Sequence, residues 1–283
     1  SLAGTGNDSY FYPMAGLTTI FSEMFTLPSW ISFAKARASY SVVGNEVPFN
    51  RVNPQHTLAA NGVGVNFNTQ VPFRTLKPEM IRSFEVGGDV RLFKGRFGVD
   101  FTYYNINSQD QFITLDAPTG SGYTIYYVNA GEIVNKGIEL TVDVTPVHTK
   151  NFKWNASFNY AKNTNKVVEL HPDLTKPISL GSEEGFESKI VAGGRISDLY
   201  VYKFRRDPDG GKIMLDPNSG APLKTESKEY IGNLLPDWSL GWNNSINYKK
   251  FGLSFLINGK FGGVAVSQTE ALLDGMGVSE RTA

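Results

Sequence analysis

Between Arg82 and Asn107 two strands of about equal length alternate apolar and polar residues on either side of a tight turn, Phe93-Lys94-Gly95-Arg96. Phe84, Val86, Val90 and Leu92 fall on one side of the first strand, with Glu85, Asp89 and Arg91 on the other. Phe97, Val99, Phe101 and Tyr103 answer Gly98, Asp100 and Thr102 on the second. A period of two is the signature of amphipathic sheet and is incompatible with helix. Each strand runs for about 10 to 12 residues, above the 5 or 6 usual in soluble proteins and close to the roughly 9 to 11 that a tilted strand needs to cross a bilayer.

The same rhythm recurs. Ile138, Leu140, Val142 and Val144 alternate with Glu139, Thr141 and Asp143; beyond a link from Pro146 to Asn151, Trp154, Ala156, Phe158 and Tyr160 alternate with Asn155, Ser157 and Asn159. A third hairpin joins Leu240, Trp242, Ile246 and Tyr248 to Phe251, Leu253, Phe255 and Ile257 through Lys249-Lys250. Near the N-terminus Ala34, Ala36, Ala38 and Tyr40 alternate with Lys35, Arg37, Ser39 and Ser41, preceded by a weaker strand at Ala15 to Ser22. The pattern predicts eight long strands in all.

Their connections alternate as well. Links near Lys94, His148 and Lys249 are short, whereas the intervening ones run for roughly 25, 40 and 75 residues, the layout of an outer-membrane barrel with periplasmic turns and extracellular loops. Trp238 and Tyr160 would mark the loop ends of the strands, and Tyr248, Phe251 and Trp154 the turn ends, at the headgroup level that amphipathic rings favour. Placing Arg37 or Arg91 in hydrocarbon would cost roughly 2 to 4 kcal/mol at mid-depth, so the Ala34/Ala36, Val86/Val90 and Ile138/Leu140 side is assigned to lipid and the charged side to the interior. The longest loop, Asn163 to Pro236, contains strand-like pieces at Asp198 to Arg206 and Lys212 to Leu215, and is expected to form an ordered hairpin standing above the membrane.

Composition limits the alternatives. The 283 residues carry 27 basic and 27 acidic side chains, so no net field draws in nucleic acid, and none is expected as a partner. Charged residues make up 19% against a usual figure of about 25%. Aromatics at 13% and 29 glycines favour strands, turns and interfacial girdles, although composition alone also suits a soluble β-rich protein. Without cysteine there is neither a disulfide framework nor a thiolate site. No apolar run of about 18 residues occurs, which removes a helical span but not a barrel. The start, Ser1-Leu2-Ala3-Gly4, does not look like a signal peptide, so an exported protein with this start is expected to be a processed or excerpted chain.

Catalytic signatures are nearly absent, and no enzyme activity, cofactor or metal is expected. His56, His148 and His171 lie in predicted loops and a turn, without a zinc-protease spacing, a nucleophile elbow or a phosphate-cradling loop. Glu85, Asp89, Asp100, Glu139 and Asp143 offer carboxylates for an acid/base pair, but a solvated or salt-bridged wall with Lys35, Arg37 and Arg91 is the commoner use of such residues. Asp207-Pro208-Asp209-Gly210-Gly211, with Asp216 and Asn218 beyond, has oxygen ligands but no regular calcium ladder, and turn chemistry explains it better. Tyr123, Tyr126 and Tyr127 follow Thr119-Gly120-Ser121-Gly122 in an outer loop. They are the candidate substrate-binding residues, able to stack on sugar rings or peptide side chains, while packing of the loop on its neighbours is the alternative.

Five blocks in order carry a family resemblance. They are Arg37-Ala38-Ser39-Tyr40 with Gly44-Asn45; Leu76-Lys77-Pro78-Glu79 with Ser83-Phe84-Glu85-Val86-Gly87 and Asp100-Phe101-Thr102-Tyr103-Tyr104; the run Asn129 to Glu139; Tyr230-Ile231-Gly232-Asn233 with Pro236-Asp237-Trp238; and Gly277 to Ala283. The chain resembles the later barrel part of SusC/RagA-like TonB-dependent transporters of Bacteroidetes outer membranes. That resemblance implies residues 1–283 to be a partial barrel domain from a wall of about 22 strands enclosing a plug. It further implies import of glycans or peptides with a SusD-like surface lipoprotein and the TonB complex as partners. Plug, TonB box and final strands have no counterpart in the sequence. A siderophore or vitamin receptor of the same class, and a soluble or surface-attached glycan-binding module, are the other readings. With open sheet edges at both ends, the chain by itself is expected neither to fold stably in water nor to transport anything.

Overall fold

The computed structural model describes residues 9–47, 51–52, 55–60, 62–72, 76–118, 120–171, 177–182, 185–209 and 211–280. In chain order the elements are β1 (Met14–Ile20), α1 (Phe21–Met24), β2 (Ile31–Asn45), β3 (Thr57–Leu58), β4 (Val65–Asn66), β5 (Glu79–Leu92), β6 (Phe97–Gln109), β7 (Phe112–Asp116) and β8 (Ile125–Asn129). They continue as β9 (Glu132–His148), β10 (Phe152–Glu169), β11 (Ile178–Ser182), β12 (Phe186–Ile190), β13 (Asp198–Val201), β14 (Glu229–Asn233), β15 (Trp238–Tyr248), β16 (Phe251–Phe261) and α2 (Gln268–Gly275). Two compact units result: Ser1–Pro177 with Val191–Ile196 and Trp238–Lys260, and Ile178–Ile190 with Ser197–Asp237 and Phe261–Ala283.

Among the described residues the eight expected long strands form one open antiparallel sheet in the order β1-β2-β5-β6-β9-β10-β15-β16. Neighbours in the sheet are neighbours in the chain, as hairpin-by-hairpin winding requires. A two-layer sandwich would need a second sheet packed on this one's apolar side; instead Leu17, Phe84, Val86, Phe101, Phe158 and Leu253 leave that side exposed. The register joins these residues into a band. Ala38 faces Val86, Val86 faces Tyr103, Tyr103 faces Ile138, and one row on Phe101, Leu140, Tyr160 and Leu240 are in line. Phe158 stacks on Trp242 (5.6 Å between centroids), which meets Phe255 edge-on at 5.9 Å. Asn244 interrupts the band, buried with its Oδ1 accepting from the Trp154 indole at 3.1 Å.

Strand ends differ from the sequence reading in informative ways. β1 stops at Ile20, before Ser22, and α1 follows. β9 passes through Pro146 to His148, and the register shifts between Trp154 and Ala156 opposite it. Proline has no N–H for the ladder, so a bulge absorbs it. The turn is therefore Thr149 to Asn151, closed by Thr149 N–H on the Phe152 carbonyl at 2.7 Å. At the first turn Phe93, Lys94 and Gly95 all take positive φ, as a tight hairpin turn demands. β10 continues to Glu169, so the longest link starts beyond Asn163, at 170.

The second unit holds a four-stranded sheet, β11-β12-β13-β14. Between β13 and β14 the chain forms the expected ordered structure, but with three arms instead of one hairpin. Arg206 pairs with Ile213, Leu215 with Pro222, and Phe204 with Lys224. Three backbone bonds close a ring: Met214 N–H to Arg205 carbonyl (2.9 Å), Leu223 N–H to Met214 carbonyl (2.9 Å) and Arg205 N–H to Leu223 carbonyl (2.8 Å). The ring residues recur at 205, 214 and 223, one per copy of a short repeat whose first two copies end in Asp207-Pro208-Asp209 and Asp216-Pro217-Asn218 turns. Asp207 Oδ1 accepts from Asp209 N–H (3.1 Å), and Asp216 Oδ1 from Asn218 (2.8 Å) and Ser219 (2.9 Å). These backbone donors hold the Asp216 carboxyl below its ordinary range. Both motifs are thus Asx turns.

α2 was not anticipated. Ser267 caps it, its Oγ accepting from Glu270 N–H at 3.2 Å, an S-x-x-E signal that is readable in the sequence.

Candidate functional site

On the polar side of the wall the register lines up three rows. Lys35, Asp89, Asp100, Thr141 and Asn159 share one; Arg37, Gly87, Thr102 and Glu139 the next; Ser39, Glu85, Tyr104, Gly137 and Asn163 the third. Asp89 and Asp100 are cross-strand neighbours, the placement a carboxylate dyad would need. Each is instead held by an arginine. Arg37 grips Asp100 through two bonds of 2.9 and 2.7 Å and also reaches Thr102 Oγ1 at 2.5 Å; Arg91 lies 3.2 Å from Asp89. The wall is salt-bridged as the sequence suggested.

Two long side chains cross an intervening strand, and both do so over a glycine. Arg37 leaves β2, passes over Gly87 on β5 and binds on β6. A Cβ at Gly87 would lie 3.0 Å from Arg37 Nε and 2.6 Å from the Phe101 carbonyl oxygen. Tyr104 leaves β6, covers Gly137 on β9 and donates its hydroxyl to Asn163 Oδ1 on β10 at 3.3 Å. Asn163 and Asn165 then donate to Asn135 Oδ1 at 3.2 and 2.8 Å. Five consecutive strands are tied together on this side. Glu85, Thr102, Tyr104, Asn135, Glu139 and Asn163 border a recess of about 370 Å³, a hydrogen-bonding surface suited to hydroxyls or amides.

At the mouth of the strands, described residues of the links 46–78 and 110–131 pack against one another. Val47, Val52, Leu76 and Tyr127 form the core of this contact, with Phe112 and Ile125 against it. The three candidate tyrosines are not equivalent. Tyr127 is 3% exposed, stacked on Phe112 at 4.8 Å with the Arg51 guanidinium 5.0 Å over its ring. Tyr126 is half-buried, and Tyr123 is 41% exposed. The packing role weighed for these rings therefore falls on Tyr127, while Tyr123 stays open to solvent.

What sequence reading missed is the clamp at Asn129. Its Oδ1 accepts from Lys77 N–H (2.7 Å), and its Nδ2 donates to the carbonyls of Lys77 (2.7 Å) and Asp110 (3.0 Å). Glu79 complements it, taking Phe112 N–H at 2.8 Å and Asn45 Nδ2 at 2.7 Å. Both residues sit in the blocks that carried the family resemblance, which was the available signal. Asn129→Ala strands three backbone groups, a loss of roughly 1 to 3 kcal/mol of local stability. Limited proteolysis of the full-length receptor in intact cells should cut the 46–78 link about tenfold faster, with Asn129→Asp intermediate; unchanged cleavage would refute the clamp.

Asp89 and Asp100 are each paired with an arginine, and no cluster of three or more metal-ligating side chains exists among the described residues. No helix among them is long and apolar enough to cross a membrane. An open single-layer sheet, apolar on one side and charged on the other, with tight turns at one end and long links at the other, is the wall of a transmembrane β-barrel. More particularly, the chain belongs to the TonB dependent receptor-like β-barrel family, whose model matches residues 2–268. It is a length of outer-membrane barrel. It is 28% identical to TonB-dependent receptor P3 of Formosa agariphila, over 98% of this chain and 30% of the relative. To TonB-dependent receptor SusC of Bacteroides thetaiotaomicron it is 24% identical, over 64% of this chain and 19% of that protein. The chain thus spans under a third of the curated relatives it matches. The fold also matches the RagAB peptide importer in its open-open state, with a TM-score of 0.73 over 92% of this chain and 29% of the other at 20% identity.

Proposed function

We propose that this chain supplies barrel wall and outer loops to a TonB-dependent importer of oligosaccharides or peptides, working with a SusD-like surface lipoprotein. The match of the receptor barrel model to residues 2–268 carries this reading; the RagAB structure that shares the fold is a peptide importer, and the SusC-like resemblance of the ordered sequence blocks adds oligosaccharides. The plug and TonB box through which the TonB complex acts would belong to the remainder of a full-length receptor. The wall contributes a salt-bridged polar lining and performs no covalent chemistry. Tyr123 and Tyr126 are the substrate contacts, and Tyr127 supports them from the loop core.

The test is uptake by cells carrying the full-length receptor, compared with a deletion strain and a strain lacking TonB, on oligosaccharides and on peptides. Import should vanish in both controls. Tyr123→Ala with Tyr126→Ala should weaken apparent affinity roughly 3- to 10-fold, the scale of one or two lost ring contacts. Uptake that persists without TonB sinks the importer reading; unchanged affinity removes the two tyrosines as contacts.

A further inference from the structure

The ring of three short strands in the second unit carries a recess that the importer reading does not use. It has a volume of about 740 Å³, within the range of small-ligand sites, and is bordered by Tyr202, Lys203, Phe204, Arg205, Arg206 and Glu229 among others. Two aromatic rings lie here unburied: Tyr202 is 39% exposed and Phe204 52%. They stand two residues apart, and both border the recess together with Arg205 and Arg206. Lys228 Nζ lies 5.7 Å from the Tyr202 ring.

Charge at the recess is one-sided. Lys203 is neutralised by Glu229 at 3.2 Å. Among the described residues, Arg206 donates to a neutral acceptor, the Gly211 carbonyl, at 2.7 Å. Arg205 has its backbone committed to the ring, while its guanidinium has no carboxylate partner among the described residues. Two arginines are thus left with donors to spare beside two exposed rings. Flat aromatic platforms suit the apolar faces of pyranose rings, and the guanidinium fork suits a carboxylate or sulfate.

We propose that this recess binds an acidic oligosaccharide, with Tyr202 and Phe204 stacking on sugar rings and Arg205 and Arg206 pairing with a uronate carboxylate or sulfate ester. The inference rests on the importer reading for its substrate class and narrows it to anionic glycans. The ring geometry explains why the site is rigid. Three strands of three residues each would fray alone, but the closed cycle through 205, 214 and 223 fixes the backbone on which Phe204, Arg205 and Arg206 sit.

The experiment is calorimetric titration of the purified full-length receptor in detergent with four probes of similar length: oligogalacturonate, a sulfated carrageenan oligosaccharide, neutral maltoheptaose and oligo-aspartate. One or both anionic saccharides should bind at least tenfold tighter than maltoheptaose, and that preference should collapse in high salt. Arg205→Gln with Arg206→Gln should erase the preference while leaving neutral binding as it was; Arg205→Gln alone, which spares the Gly211 contact, should remove part of it. Tyr202→Ala with Phe204→Ala should weaken all saccharides alike. Equal binding of charged and neutral saccharides overturns the proposal. So does a preference indifferent to the arginines, or oligo-aspartate binding as tightly as the saccharides, which would mark a peptide site. Loss of a co-purifying protein from the aromatic variant, with saccharide affinity unchanged, would mark a protein-docking surface instead. TonB-dependent uptake is measured separately in cells, so failure of import with arginine-dependent binding intact condemns the importer reading and not the recess.

Discussion

Gly137→Val is expected to abolish assembly of the receptor. A Cβ at this position falls on the Tyr104 ring and lies 2.6 Å from the Lys162 carbonyl oxygen, which is backbone of the neighbouring strand. A tyrosine can swing aside, whereas a paired strand moves only by giving up its ladder. Overpacking of this kind costs roughly 1 to 3 kcal/mol or more, and β9 with β10 is the most extensive pairing in the sheet. Outer-membrane fractions should therefore lose the heat-modifiable, protease-resistant band. Tyr104→Ala alone gives up only the strap to Asn163 and should cost about 1 kcal/mol with the band retained. Combining Gly137→Ala with Tyr104→Ala relieves the ring but not the carbonyl, and should lie between. Normal yield of folded Gly137→Val would show that the close approach is not a constraint.

Adjacent residues on β9 test the assignment of faces. Leu140 stands between Phe101 and Tyr160 in the apolar band, and Thr141 between Asp100 and Asn159 on the polar side, donating to Asn159 Oδ1 at 3.0 Å. Leu140→Arg should destabilise the folded barrel by roughly 2 to 4 kcal/mol, the cost of a guanidinium near the bilayer midplane. Thr141→Arg should be tolerated, since its new charge meets water and the Asp100 carboxylate. Denaturant titration of the full-length receptor in lipid vesicles measures both. The opposite ranking would reverse inside and outside for the whole sheet, because one register step exchanges the faces of every strand.

Strand count, order and facing were legible because alternation is a local property: each residue declares its side by its own chemistry. The reading faltered where that chemistry stops alternating. β10 runs on through Asn163, Asn165 and Lys166, hydrogen-bonded to β9 all the way, yet both its faces are polar there and the alternation is gone. The Asp207 and Asp216 turns were read correctly as turns, since an Asx turn is made within a few residues. Their joining into a closed ring was not visible, because each pair of strands contributes a single bridge, too short for any period to show.

By itself the sequence determined the local grammar: eight amphipathic strands, which side of each is apolar, which links are tight and which are long, and, through its ordered blocks, the family. Only the tertiary structure decided what crosses between strands. Tyr127 faces a core and Tyr123 faces water although both belong to one tyrosine cluster, since the partner surface comes from the distant 46–78 link. Gly87 and Gly137 are gaps for Arg37 and Tyr104, and Asn129 is a clamp on Lys77, only in the register that folding sets. Contacts between residues tens of positions apart depend on how strands are aligned, and alignment is a property of the paired sheet that no single strand encodes.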